Sequence, residues 1–199
     1  MKKAIPVILI LFLQSCAAGK FELPNEQFEF KKILSDTSKP YIYRARLKIY
    51  DKEFSGLIII KTGSETHRIV FINEVGMKFF DIELLKNTYK VHNIFEPLNK
   101  KMFVKLLVSD FSFILMNNLQ NPFKIAKVKE PEITAVKPGK IKEIYFLNRN
   151  TLLPESAMKY SVIRKKVFLS YQNYKNDVPG IINLRHKGIK FEIKLIFIK

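Results

Sequence analysis

The chain has 199 residues and 47% hydrophobic content, which fits one domain with a real core and excludes disorder. Its formal net charge is +17, but the basic residues are scattered through the whole chain and form no arginine-rich block, which argues against nucleic-acid recognition. Attraction to an anionic membrane is the residual meaning of that charge. A single cysteine excludes an internal disulfide framework.

Lys2-Lys3 forms a basic n-region, and Ala4 to Leu13 an apolar h-region. The latter is too short to span a bilayer as a mature helix, which needs about 20 residues. It ends at Leu13-Gln14-Ser15-Cys16, a sequence similar to a bacterial lipobox. In such signals the peptide is cut before the cysteine, which carries a diacylglycerol thioether and usually an acylated amine. Residues 1–15 are therefore expected to be a signal peptide, and Cys16 the lipidation site. One acyl chain binds a membrane only marginally, whereas two or three anchor stably. Ala17, not an aspartate, follows the cysteine. By resemblance to the sorting rule of enteric bacteria, this points to the outer membrane. Residues 16–40 form the lipidated cysteine, a short tether and a helix from Glu26 to Leu34, with Asn25 as its cap.

The segment Tyr41 to Ile94 reads as an antiparallel meander. Tyr43, Ala45, Leu47 and Ile49 alternate with Arg44, Arg46 and Lys48, the period-two pattern of a half-buried strand. Further extended segments follow at 54–61, 67–72, 78–85 and 89–94, joined by links too short for parallel crossovers. Leu57 to Ile60 is apolar on both faces, which suits a sheet on a core or the wall of a pocket. Gly56 inside that strand suggests a bend or bulge.

Asn99 is a plausible N-cap for a helix from Lys100 to about Met116. Phe103, Leu106, Leu107, Asp110 and Ile114 share one stripe, and Phe111, Phe113 and Leu115 extend the apolar surface beyond it. Such a helix is either buried core or a lid over a cavity. Asn117-Asn118 with Asn121-Pro122, and then Lys129 to Gly139, read as loops. Strands resume at 140–147, with Ile144 and Phe146 on one face, at 152–160, interrupted by Pro154, and at 165–171, 181–186 and 189–199. The last alternates cleanly, with Phe191, Ile193, Leu195 and Phe197 inward.

No catalytic constellation stands out. His67, His92 and His186 lie on three separate strands without zinc-ligand spacing. There is no nucleophile elbow and no phosphate-cradling loop. Asp81 and Glu83 share a strand face, where a carboxylate pair is usually just solvated. The expectation is a binding protein that is not an enzyme and carries no cofactor or metal.

The order of lipobox, strand meander, central helix and second strand set resembles the LolA/LolB lipoprotein-carrier superfamily, its lipid-anchored LolB branch most of all. Asn73-Glu74-Val75-Gly76 with Lys78 to Leu84 is similar to that branch's Asn-Pro-Leu-Gly turn and following strand. Val167 to Tyr174 is similar to its aromatic-rich strand end, and Val178 to Arg185 with Gly188 to Ile193 to its closing hairpin. Glu74 and Val75 depart from the family's Pro and exposed Leu.

The resemblance implies an α+β fold over residues 41–199, mostly β: an incomplete antiparallel β-barrel with helices covering its concave face. It implies a lipid-anchored monomer facing the periplasm that binds lipoprotein acyl chains delivered by a soluble LolA-like carrier, and that helps insert them into the outer membrane. The hydrophobic cavity would be lined by Leu47, Ile49, Ile58, Ile60, Ile69, Phe71, Phe80, Ile82, Phe103, Leu107, Phe146, Phe191 and Ile193. Val75 would be the membrane-contact residue. The alternative is an anchored, non-catalytic interaction or scaffold domain whose barrel is filled by its own side chains.

Overall fold

The computed structural model describes residues 31–117, 124–129, 132–137, 141–161 and 166–199. In chain order the elements are β1 (Tyr41–Ile49), β2 (Lys52–Thr62), β3 (His67–Ile72), β4 (Lys78–Leu84), β5 (Tyr89–Ile94), α1 (Lys101–Ile114), β6 (Lys124–Lys129), β7 (Glu132–Lys137), β8 (Ile141–Asn148), β9 (Pro154–Ser161), β10 (Lys166–Gln172), β11 (Ile181–His186) and β12 (Phe191–Phe197). The strands form one sheet of 12 in the order β5-β4-β3-β2-β1-β12-β11-β10-β9-β8-β7-β6. Every neighbouring pair is antiparallel. Two meanders thus meet at the β1–β12 pair, where Leu47 faces Ile193 and Ile49 faces Phe191. The sheet stays open, with β5 and β6 as its edges.

Helix α1 connects those two edges and lies against one face. Its side chains and carbonyls meet β4 through Phe80, β8 through Tyr145, β10 through Tyr171 and β12 through Phe191. From β4 to β8 is eight strand spacings, about 38 Å if flat at ~4.8 Å each. A helix about 10–12 Å across touches both only if the sheet curves round it. Alternation supplies the apolar concave face: Tyr41, Tyr43, Ala45 and Leu47 are buried on β1, Ile58 and Ile60 on β2, Phe191, Ile193 and Leu195 on β12.

Several expectations need correction. Residues 31–34 are not helical, and residues 26–30 of the expected helix lie outside the described residues. Leu34 takes a left-handed φ of 54°. Its N–H donates to Asp177 O, so this segment is tied across the end of the sheet and its backbone is not free to pair with itself. Helix α1 is capped at Lys100 with no side-chain bond. Asn99 instead closes a single 3-10 turn over Glu96–Leu98, its N–H on Glu96 O.

The segment read as a loop at 129–139 contains β7, with Ile133 and Ala135 buried. Pro131 and Pro138, which suggested the loop, lie outside the described residues on either side of that strand. Pro154 opens β9 and does not interrupt it, beside a register shift at Phe146/Leu147. Gly56 marks no bulge in the β1–β2 pairing, which runs unbroken from Tyr41↔Ile60 to Ile49↔Lys52. It marks a close approach: a Cβ there would stand 2.0 Å from Ile72 O. Phe146 faces away from the interior, because Glu143, Tyr145 and Leu147 take the inward positions of β8.

Candidate functional site

The inward apolar residues converge under α1. Leu47, Ile58, Ile60, Ile69, Phe71, Phe80, Ile82, Leu107, Phe191 and Ile193 are buried in one cluster, with Ile49 and Phe103 half-buried at its border. Phe146 is the one expected cavity residue left out. Phe111 of α1 packs edge-on to Phe80 at 5.8 Å, Phe103 to Phe191 at 5.9 Å, and Phe113 lies 5.5 Å from Tyr145. The helix therefore fills the concave face as well as covering it.

The C-terminal half of α1 is also held by polar bonds. Asp110 is fully buried on the helix's inward stripe. Its Oδ2 lies 2.6 Å from His186 Nε2, and its Oδ1 3.5 Å from Lys159 Nζ. Lys159 Nζ also donates to Ser109 O and Oγ at 3.0 and 2.8 Å, and sits 5.0 Å from the centre of the Phe113 ring. Tyr145 Oη donates to Phe113 O at 3.2 Å, and Tyr171 Oη to Ile114 O at 2.7 Å. These add donors to carbonyls of the last turn, where Phe113 O also accepts the N–H of Met116 at 3.3 Å. Burial pushes both phenols well above their ordinary range, so they remain donors. Glu143, beside Tyr145, has its carboxyl raised by burial despite Lys137 and Lys159. The sequence placed Asp110 on the helix stripe but gave no sign of His186 or Lys159. The available signal was the acid itself, an expensive residue on an otherwise apolar stripe unless it is paired.

The two ends of the sheet differ. At one end, here the rim, lie the β1–β2, β3–β4 and β11–β12 turns and the start of α1. Five of the exposed large apolar residues are there: Tyr50, Val75, Met77, Met102 and Ile141. Val75 is 87% exposed and Met102 79%, values that place whole side chains in solvent. Asn73 Oδ1 accepts the N–H of Val75 at 3.1 Å and of Met77 at 2.8 Å, and Gly76 has a φ of 83°. The backbone of the β3–β4 turn is thus satisfied locally, and Val75 is left at its tip. Exposed lysines flank these residues at positions 52, 78, 100, 101, 142, 187 and 190. Of this group only Val75 was singled out from the sequence; a tyrosine or methionine next to a turn carries too little pattern.

At the far end a cavity of about 250 Å³ is lined by Lys32–Ser35, Thr37, Thr62–Glu65, His67, Lys86 and Leu115–Asn117. None of the expected cavity residues borders it. Asp81 and Glu83 are not a solvated pair. Asp81 is buried beneath Arg68 and Lys78, with Arg68 Nε 2.9 Å from its Oδ1, and hydrogen bonding to Arg68 holds the carboxyl below its usual range. Glu83 lies 2.8 Å from His92 Nε2. No cluster of three or more metal-ligating side chains occurs among the described residues.

Two solved structures overlay most of the chain. One is a DUF1329 family protein from Desulfovibrio piger, at 12% identity and a TM-score of 0.45, covering 82% of this chain and 85% of that one. The other, from Vibrio parahaemolyticus, is described as an outer membrane lipoprotein-sorting protein domain, at 10% identity and a TM-score of 0.44, covering 81% and 84%. No family model and no curated protein sequence matches the chain. No helix among the described residues is long and apolar enough to cross a membrane.

Proposed function

We propose that this protein is a lipid-anchored, non-catalytic carrier of the bacterial envelope. It accepts lipoprotein acyl chains between α1 and the concave face of the sheet, and passes them to the outer membrane at its rim. The donor is a soluble periplasmic carrier of the LolA kind, and the anchor is the acylated Cys16, outside the described residues. The observation that carries this reading is the gathering of exposed apolar side chains at the rim, flanked by lysines suited to anionic headgroups. The rim end of α1 also has fewer polar ties, although Val104 and Leu107 are buried there. Phe103 and Leu106 are only half-buried, whereas the polar bonds to β8, β9, β10 and β11 all fall between Ser109 and Ile114. An acyl chain entering there displaces the first turns of α1 and leaves the tied half in place.

One observation favours a second reading, an anchored scaffold domain: in this conformation the interior is packed by its own side chains. A transfer assay separates the two. The full chain is placed in liposomes and supplied with a fluorescent acylated lipoprotein. Burying one side chain such as Val75 contributes roughly 1.5–3 kcal/mol, enough to bias a handover. The double variant Val75→Glu with Met102→Glu is expected to keep the wild-type unfolding midpoint and fatty-acid binding but to lose transfer. Unimpaired transfer would remove the rim's role, and failure of the wild type to bind a fluorescent fatty acid would leave the scaffold reading.

A further inference from the structure

Two of the exposed large apolar residues, Ile196 and Ile198, lie away from the rim, on the outward face of the sheet at its far end. They do not stand alone. Ile181, Ile196, Arg44 and Leu57 are register partners in one row across β11, β12, β1 and β2. Ile42 and Ile59 pair in the row beside it, and Ile198 N–H donates to Ile42 O. Ile42, Leu57, Ile59 and Ile181 are half-buried, whereas Ile196 is 38% and Ile198 52% exposed. A single exposed apolar residue needs no explanation, but a contiguous group marks a surface that a partner covers. Its charge is one-sided. Arg44 stands inside the row, and Arg44, Lys61 and Lys194 form no ion pair among the described residues. The acids at its margins are already engaged, Asp81 by Arg68 and Lys78, and Asp177 by Ser35. The patch therefore fits an occupant that is both apolar and acidic.

The chain itself supplies one close by. Leu34 N–H is bonded to Asp177 O in the turn that leads into β11, and Lys31, where the described chain begins, is three residues from Leu34. Before it, residues 25–30 read Asn25-Glu26-Gln27-Phe28-Glu29-Phe30, with two acids and no base in a chain of net charge +17. In an extended chain Glu26, Phe28 and Phe30 share a face. Six extended residues reach about 20 Å, against ~14 Å for the three strand spacings from β11 to β2. We propose that residues 25–30 dock on this outward patch, with Phe28 and Phe30 on Ile196 and Ile198 and Glu26 on Arg44. Residues 16–24 then reach about 30 Å if extended, enough to carry the chain on to the rim.

The chain has no tryptophan, so Phe28→Trp gives the full chain a single fluorescent reporter. In a non-ionic detergent its emission is expected to be blue-shifted, and several-fold less open to acrylamide quenching than in the same chain unfolded in urea. Adding Ile196→Lys with Ile198→Lys, or separately Arg44→Glu, is expected to abolish the shielding while far-UV circular dichroism stays that of the folded sheet. Glu26→Arg is expected to restore it in the Arg44→Glu chain, a reversal that a merely structural role for Arg44 would not give. Four results would overturn the proposal: an unshielded tryptophan, shielding that survives both sets of substitutions and so belongs to the micelle, shielding lost on dilution and so due to a second copy of the chain, or no restoration by Glu26→Arg.

Discussion

Asp110 is the residue on which the helix's position most depends. Removing one partner of a buried charge cluster costs far more than the cluster gains over an apolar replacement, because the remaining charges stay buried and unpaired. In Asp110→Ala, His186 and Lys159 lose their shared carboxylate. We expect a loss of about 3–5 kcal/mol, read as a lowered urea midpoint; a midpoint within error of wild type would show that the cluster relaxes to solvent. His67 makes a different, pH-dependent contribution. Its pKa falls from 6.5 to about 4 on folding, so within that interval the unfolded chain binds more protons than the folded one. Stability therefore rises with pH across the window and is lost as pH drops from about 6.5 toward about 4. Urea midpoints through that interval are expected to slope less steeply in His67→Phe; parallel profiles for the two proteins would assign the slope to other groups.

At the scale of elements, the β3–β4 hairpin is positioned by Gly56. A Cβ at that position would meet Ile72 O at 2.0 Å and Asn73 Cα at 2.9 Å, both backbone atoms that cannot swing aside. Gly56→Ala therefore has to push away the turn that carries Val75. Overpacking of this kind costs about 1–3 kcal/mol, and calorimetry on the variant should show a lowered midpoint. An unchanged midpoint would mean that the hairpin shifts freely. The sequence flagged Gly56 because glycine is out of place in a strand, but not what it makes room for. Likewise, Pro131 and Pro138 suggested a loop when they were flanking β7: composition marks a boundary without saying on which side the strand lies.

For the whole molecule, the proposed reading makes the acylated Cys16 and the rim separate determinants of membrane attachment. The described chain reaches β1 from the far end, where Leu34 and Ser35 bond to Asp177. From Cys16 to Lys31 the chain reaches about 50 Å if extended, while β1, with nine residues, spans about 30 Å. The tether is thus long enough for the rim to face the bilayer. Acyl chains bind at about 0.8 kcal/mol per methylene, whereas lysines at the rim are screened beyond about 8 Å at physiological salt. Cys16→Ala is therefore expected to leave the membrane pellet after a high-salt wash. Retention there would mean that the rim anchors the protein unaided, or that Cys16 is not acylated.

The period-two alternation by itself determined the faces of β1 and β12, and the short links determined the antiparallel meander, because both depend on neighbours within a few residues. The helical stripe gave α1 nearly to its ends for the same reason. Only the tertiary structure decided that β1 pairs with β12, that the two meanders form one curved sheet, and that α1 fills its concave face. It also decided the partners of Asp110, the outward turn of Phe146 and the gathering of Tyr50, Met77 and Met102 beside Val75. Each of these sets residues tens of positions apart against one another. Such contacts follow from strand register and sheet curvature, which no local run of residues encodes.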